Sequence, residues 1–403
     1  MEKVLGINGM GRIGKMSVWH NVARRHYDRI VINLGRTAGK SLKDLANYIA
    51  YDTTYGALHN YVDGHNGKMS VEVVSEAKNE LRIHGIPVTV LCEHRNPGDI
   101  KWRDEGVGIV AETTGAFRRP HDPEDTPGGS LRGHLAAGAE LVVLSAAFKT
   151  SPEGLPDDSI FLVYGANHHE FQAMQHKIVS AASCTTTALA HMLLPLLNAS
   201  STARLVTAGM STVHATTNTQ SILDSVPKGG TGDLRRNRSV LNNTIITTTN
   251  AAKALEWVIP EVKDIGFLAD SVRIPTDTVS LIILNVTFQT ELDPEGNSRI
   301  TRDVINDIYR NAMEHGLPNI VEYSEAQNVS GTLKGRDAAV VIEGCETHTR
   351  TGFLSVVLPD NGAGEKEAQI PVTHGKIFGW YDNELGSYTN RFGDLMVHLD
   401  ENL

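Results

Sequence analysis

Cysteine is scarce in this chain: Cys92, Cys184 and Cys345 are the whole complement. They are odd in number, far apart and in no metal-ligand spacing, which excludes a disulfide scaffold and a cysteine-based metal module and points to a reducing compartment. Basic runs are also missing. A formal charge of −10 without any block of Lys/Arg argues against a nucleic-acid or anionic-membrane surface as a partner, though a few local cations still suffice for a small anion. The longest apolar run, ALAHMLLPLL, is about half of the roughly 20 residues a membrane span needs. The opening MEKVLGING lacks the basic and apolar regions of a secretory leader, so a cytoplasmic protein is expected. Repeats and low-complexity tracts are absent. What remains, 403 residues with 40% apolar content and 37 glycines, is a globular composition too long for one ordinary core, and two domains are expected.

The first half carries a nucleotide-binding signature. KVLGIN has the pattern of a strand, and Gly9-Met10-Gly11-Arg12-Ile13-Gly14 follows it directly. KMSVWHNVARRH then places apolar residues at helical spacing, and DRIVIN returns to strand. In that frame G-x-G-x-x-G predicts a tight turn that lets backbone approach a pyrophosphate at a helix N-terminus. An acid is expected at the end of the second strand to bind the adenosine ribose; here Leu34 stands there, followed by Gly35 and Arg36. Leucine cannot accept those hydrogen bonds and does not repel a 2′-phosphate, which Arg36 could reach, so NADP or dual use is favoured over strict NAD. Strand-like runs recur at 107–115, 139–147 and 177–183, the alternation of a doubly wound parallel sheet. After Cys184 the texture changes: RLVTAGMSTVHATT and VSLIILNVTFQTEL predict a second domain on a largely antiparallel sheet.

Cys184 closes KIVSAAS and opens TTTALAHMLLPLL, a helix-length apolar run. At a helix start, unpaired N–H groups and the dipole favour thiolate; a small buried core residue is the plainer alternative. Downstream, His214 ends a strand-like run among hydroxyl residues, and a cysteine at a helix start with a histidine at a strand end is the pairing thiol catalysis requires.

These blocks carry a resemblance. From INGMGRIGK through YDTTYG, SAASCTTTALA, VHATTNTQ, DLRRNR, NAAKALEWVIPE and RIPTDTVSL to GWYDNELGSYTNR, the chain resembles the phosphorylating glyceraldehyde-3-phosphate dehydrogenase family over nearly its full length. The resemblance implies an α/β Rossmann domain (1–183, completed by a C-terminal helix, 382–403) and an α+β catalytic domain (184–381). It implies that Cys184 attacks the aldehyde of glyceraldehyde 3-phosphate, with His214 as base, and that inorganic phosphate cleaves the resulting thioester. Thr217 and Arg273 would hold the substrate phosphate; Ser183, Thr185 and Thr249, with Arg273 and Asn250 nearby, would face the attacking phosphate. Asn8, Gly9, Gly11, Arg12, Ile13, Thr114, Ser145 and Asn383 would line the cofactor, Asn383 at the nicotinamide carboxamide. A homotetramer is implied, and no metal.

The chain also departs from the family. Ala181 and Thr187 replace asparagines flanking the cysteine, and Asn250 replaces a glycine beside the attacking-phosphate pocket. Phosphorolysis is therefore less secure than thiol attack, and erythrose 4-phosphate or another phosphorylated aldehyde, released by phosphate or by water, stays open. So does a catalytically weak paralogue kept as a binding protein. The loop after His214 is longer than usual, and Ser225-Val226 replaces a Leu-Pro pair typical of NAD-specific members, leaving Ser225 as a donor for a 2′-phosphate. Residues 118–130 and 358–372 are expected to be surface insertions.

Overall fold

A computed structural model describes residues 2–227, 229–230, 232–358 and 366–403. It divides into two compact units, Met1–Ser183 with Tyr388–Leu403, and Cys184–Ser387.

The first unit is wound around one nine-stranded sheet. Its chain runs β1 (Val4–Asn8), α1 (Arg12–Arg24), β2 (Arg29–Asn33), α2 (Leu42–Ala50), a ribbon of β3 (Tyr51–Asp52) and β4 (Gly56–Ala57), and α3 (Leu58–Asp63). Then come β5 (Val71–Ser75), β6 (Glu80–Ile83), β7 (Ile86–Leu91), β8 (Ile109–Glu112), α4 (Leu131–Ala136), β9 (Leu141–Leu144), β10 (Ser159–Phe161) and β11 (Ile178–Ser180). The strand order is β10-β11-β9-β8-β1-β2-β7-β6-β5. From β10 to β7 every pairing is parallel, while β6 and β5 close the edge antiparallel. The central strands read VLGIN, IVAE and LVVL and are buried along their whole length, as parallel strands covered on both faces must be. That doubly wound sheet is the one the strand–helix alternation predicts, and the antiparallel edge β5–β6 is an addition to it.

Helix α8 (Asn390–Glu401) belongs to this unit and begins later than position 382. Arg24 of α1 donates to Asp394 at 2.7 Å and to the Asn390 carbonyl at 2.8 Å, which ties α8 to α1.

The second unit opens with α5 (Cys184–Asn198), whose buried residues lie all around the helix. It continues β12 (Leu205–His214), β13 (Ile245–Thr247), α6 (Ala251–Val258), β14 (Gly266–Arg273), β15 (Ser280–Gln289) and α7 (Arg302–His315). The last strands are β16 (Val321–Ser324), β17 (Val340–Glu343), β18 (His348–Leu358) and β19 (Lys366–Tyr381). They order as β13-β14-β12-β15-β19-β17-β16, with β18 on β19. Only β12–β14 and β16–β17 are parallel, so the sheet is largely antiparallel.

Residues 118–130 form turns and loop, as expected. The 358–372 segment differs: Lys366–Val372 is strand, paired with Gly352–Leu358, so an extended hairpin replaces the expected loop. Residues 359–365 of that segment lie outside the described residues.

Candidate active site

Three side chains of the second unit converge. Cys184 is the first residue of α5, and its Sγ lies 3.5 Å from Nε2 of His214, the last residue of β12. In the parallel β12–β14 ladder His214 stands opposite Arg273, the last residue of β14. Register thus fixes the pair, because a slip of one residue would turn one of them to the other face. Arg273 Nη1 reaches His214 Nδ1 and donates to the Ala215 carbonyl at 3.2 Å. The same carbonyl lies 2.7 Å from Nδ1. The two contacts at Nδ1 call for opposite tautomers: accepting from Arg273 leaves the hydrogen on Nε2, whereas Nδ1–H donating to the carbonyl turns the Nε2 lone pair to the sulfur, which is the form a base needs.

Electrostatics corrects the expectation of a standing thiolate. Burial pushes the Cys184 thiol above its ordinary value, and the Arg273 charge and the Thr185 hydrogen bonds pull against it without prevailing. Burial first, and Arg273 second, press His214 down to about 3. The resting pair is therefore a neutral thiol facing a neutral imidazole. The helix-start argument fails here because desolvation of the charge outweighs the few dipoles that favour it.

Arg273 is incompletely satisfied: its Nε is buried with no hydrogen-bond partner among the described residues. An orphaned guanidinium donor beside the thiol is a site for an anionic oxygen.

Tyr381, the last residue of β19, is a site residue that motif reading passes over. Its hydroxyl lies 2.9 Å from Thr185 Oγ1 and 2.8 Å from Thr212 Oγ1, and its ring stands edge-on to His214 at 6.0 Å. The only cue in the sequence is its place just before Asp382-Asn383 in the block GWYDNE. Ser280 is a second such residue. Its Oγ accepts from Ala215 N–H and donates to Asn383 Oδ1, both at 3.0 Å, so the Asn383 amide is oriented from the peptide that follows His214. Val279 before it has φ +65°, a left-handed conformation costly for a β-branched residue. It is held between Thr278 Oγ1, which donates to Asp382 at 3.0 Å, and the Ser280–Asn383 bond.

Of the other expected residues of this unit, Thr185 joins that convergence, and the rest make local bonds of their own. Thr185 is buried against Tyr381 and the thiol. Thr217 donates its hydroxyl to Gln220 at 2.7 Å. Thr249 Oγ1 accepts from Ala251 N–H at 3.2 Å at the start of α6, where Asn250 is the exposed N-cap residue. Ser225 is exposed, 2.9 Å from Ser221 Oγ. Ser183, half-buried, ends the other unit; the turn before it passes through Ala182 at φ +56°.

In the first unit the glycine turn has the shape of a phosphate cradle. Gly9 has φ +98°, and a Cβ on Gly14 would sit 2.1 Å from the Gly9 carbonyl oxygen, so neither tolerates a side chain. A Cβ on Gly11 would meet nothing within 4 Å, which leaves that face open for a ligand to approach backbone. These residues fit a dinucleotide. The Arg12 guanidinium is committed to Asp52, which Lys15 also meets at 2.9 Å, so Arg12 and Ile13 offer backbone N–H groups at the start of α1. Asn8 is buried at the end of β1, Thr114 is exposed after β8, and Ser145, after β9, donates its N–H to the Glu112 carbonyl at 3.0 Å.

Leu34 is half-buried past the end of β2, and Arg36 is exposed. Arg95, absent from the sequence reading, is exposed beside them and donates Nε to the Gly35 carbonyl at 3.1 Å. Among the described residues no helix is long and apolar enough to cross a membrane.

Residues 3–120 match the family model described as glyceraldehyde 3-phosphate dehydrogenase, NAD binding domain, and residues 183–361 match that of the C-terminal domain. The chain is 34% identical over 396 residues to glyceraldehyde-3-phosphate dehydrogenase 1 of Bacillus cereus, covering 98% of each chain. It is 34% identical over 408 residues to a glyceraldehyde-3-phosphate dehydrogenase of Streptomyces coelicolor, covering 99% of each. For one from Geobacillus stearothermophilus the identity is 33% over 400 residues, covering 99% of this chain and 98% of that protein.

Proposed function

The chain belongs to the glyceraldehyde 3-phosphate dehydrogenase family, and from that premise we propose that it oxidises glyceraldehyde 3-phosphate to 1,3-bisphosphoglycerate with a nicotinamide dinucleotide and inorganic phosphate. The observation that carries the reading is the Cys184–His214 contact of 3.5 Å beside the unpartnered Nε of Arg273.

His214 Nε2 takes the thiol proton as Cys184 Sγ adds to the aldehyde carbon and passes it to the carbonyl oxygen, giving a thiohemiacetal and a neutral imidazole again. The bound oxidised nicotinamide supplies the hydride acceptor. As hydride leaves the carbon, His214 accepts the hydroxyl proton and a thioester remains on Cys184. Attack by inorganic phosphate on that thioester releases the acyl phosphate and returns the sulfur. Arg273 receives phosphate oxygen at its free donor, and an anion there offsets the guanidinium charge that depresses His214, so the imidazole becomes a stronger base when substrate is present. Gly9, Gly11, Arg12 and Ile13 hold the pyrophosphate through backbone.

Use of NADP, alone or alongside NAD, is part of the proposal. A neutral Leu34 flanked by exposed Arg36 and by Arg95, whose Nε is anchored on Gly35, suits a 2′-phosphate better than two ribose hydroxyls alone. So is a homotetramer in the cytoplasm. Leu268 at 80% exposure, with Ile246 and Val206, leaves apolar strand surface that a lone copy seldom keeps bare.

Steady-state rates with glyceraldehyde 3-phosphate and erythrose 4-phosphate, with each cofactor, and with and without inorganic phosphate, test the reading. Cys184→Ser is expected to cut turnover at least about 10³-fold, because an alcohol cannot replace the thiol at neutral pH. Undiminished turnover in that variant, or turnover of the parent indifferent to phosphate, would defeat the proposed chemistry.

A further inference from the structure

At the C-terminal ends of the first unit's parallel strands lies a buried carboxylate that the proposed chemistry does not use. Glu112, the last residue of β8, is 0% exposed. It accepts from Asn8 Nδ2 at 2.5 Å, from Thr114 N–H at 2.7 Å, from the Thr114 hydroxyl, and from His134 at 3.0 Å. All four partners are donors, the arrangement a carboxylate requires.

The direction of each bond can be followed outward. Trp102 Nε1–H donates to His134 Nδ1 at 2.9 Å, so the imidazole carries its hydrogen on Nε2 and donates to Glu112. Ala116 N–H donates to Thr114 Oγ1 at 3.1 Å, leaving that hydroxyl's own hydrogen for Glu112. Asn8 Oδ1 accepts from Asn33 Nδ2 at 2.8 Å, which turns the Asn8 amide donor toward the carboxylate. The other end of the Asn33 amide, Oδ1, is buried with no partner among the described residues.

Such a network is expensive for a fold to keep. It buries a carboxylate with no Lys or Arg among the described residues against it and orphans an acceptor, where apolar residues of similar volume would serve stability as well or better. Its position suggests what it is for. Ligands of an open α/β sheet bind outside the C-terminal ends of its strands. Both side chains that Glu112 grips from the strand ends border the glycine turn there. A Cβ on Gly9 would lie 2.8 Å from Thr114 Cγ2 and 3.1 Å from Thr114 N, so Glu112 presses Thr114 onto the turn. Thr113 Oγ1 also donates to the Asn8 and Gly9 carbonyls, both at 2.9 Å.

We propose that Glu112 is the positioning residue of the dinucleotide pocket: it fixes Thr114 and Asn8 against Gly9, so that the cradle is formed before the cofactor arrives. The proposal rests on the reading that the first unit binds NAD(P).

The test is Glu112→Gln in the full chain, which keeps the shape but turns an NH2 group toward donors. Dissociation constants for NADP and NAD are measured by calorimetry, with cofactor-saturated kcat and the alkylation rate of Cys184 in cofactor-free protein read alongside. Losing acceptors at a buried site corresponds to about tenfold or more in Kd, with saturated kcat and Cys184 alkylation within about twofold of the parent. A folded variant with parental Kd overturns the proposal. A parent that binds neither dinucleotide overturns the functional reading instead. Should E112Q fail to fold, Thr114→Ser and Thr114→Val take its place. The serine keeps the hydroxyl bond to Glu112 and is expected to bind at least severalfold more tightly than the valine; equal affinities overturn the proposal.

Discussion

Replacing Tyr381 by phenylalanine removes one oxygen atom and leaves the ring. That oxygen bridges Thr185 and Thr212 at 2.9 and 2.8 Å, and all three side chains are buried. Each neutral hydrogen bond contributes about 1 kcal/mol net, and a hydroxyl left without a partner in a desolvated site costs about 1–3 kcal/mol. The tyrosine's own burial cost disappears with the oxygen, so the expected loss is about 2 kcal/mol. For a unit of this size that is about 4–8 °C in Tm. Scanning calorimetry of the full chain reads the shift. A double-mutant cycle with Thr212→Val isolates one bond and is expected to give a coupling of about 1 kcal/mol. Because Thr185 also bonds the thiol, alkylation of Cys184 is expected to change in Y381F and to stay near the parent value in T212V. A Tm within 1 °C of the parent, or a coupling of about zero, would refute the bridging role of the hydroxyl.

Acidification gives a second prediction. His214 is held down at about 3 in the fold against an ordinary value of 6.5, so between those limits the unfolded chain binds the proton and the folded chain does not. Its stability cost is absent above pH 6.5 and grows as pH falls toward 3, by at most about 1.4 kcal/mol per pH unit. His168, depressed to about 4 chiefly by burial, adds to the same trend. Urea unfolding at pH 7, 6 and 5 is expected to show a shallower acid slope in His214→Asn than in the parent; identical slopes would contradict a buried neutral imidazole. The glycine turn gives a third pair. Gly14→Ala forces a Cβ to within 2.1 Å of the Gly9 carbonyl and is expected to cost about 1–3 kcal/mol in unfolding experiments. Gly11→Ala meets no atom within 4 Å, so Tm should hold while dinucleotide affinity falls at least about tenfold in calorimetry.

The sequence by itself determined the periodic and the local. Alternation of buried strand runs with helical spacing gave a parallel sheet in the first unit, and G-x-G-x-x-G between VLGIN and α1 fixed the cradle, because a turn through φ +98° and a close Gly14 approach admit only glycine. Cys184 and His214 were legible from their places at a helix start and a strand end, while Arg273 came with the family resemblance. Tertiary structure decided the rest. That Arg273 stands beside His214 follows from β12–β14 register, a pairing between segments far apart in the chain. Whether the sulfur rests as thiol or thiolate depends on how much water its neighbours exclude, which no local pattern records. Tyr381, Ser280 and Glu112 were invisible for the same reason: a hydroxyl or carboxylate acquires its role from the donors that folding brings to it, and those donors lie on other strands and loops.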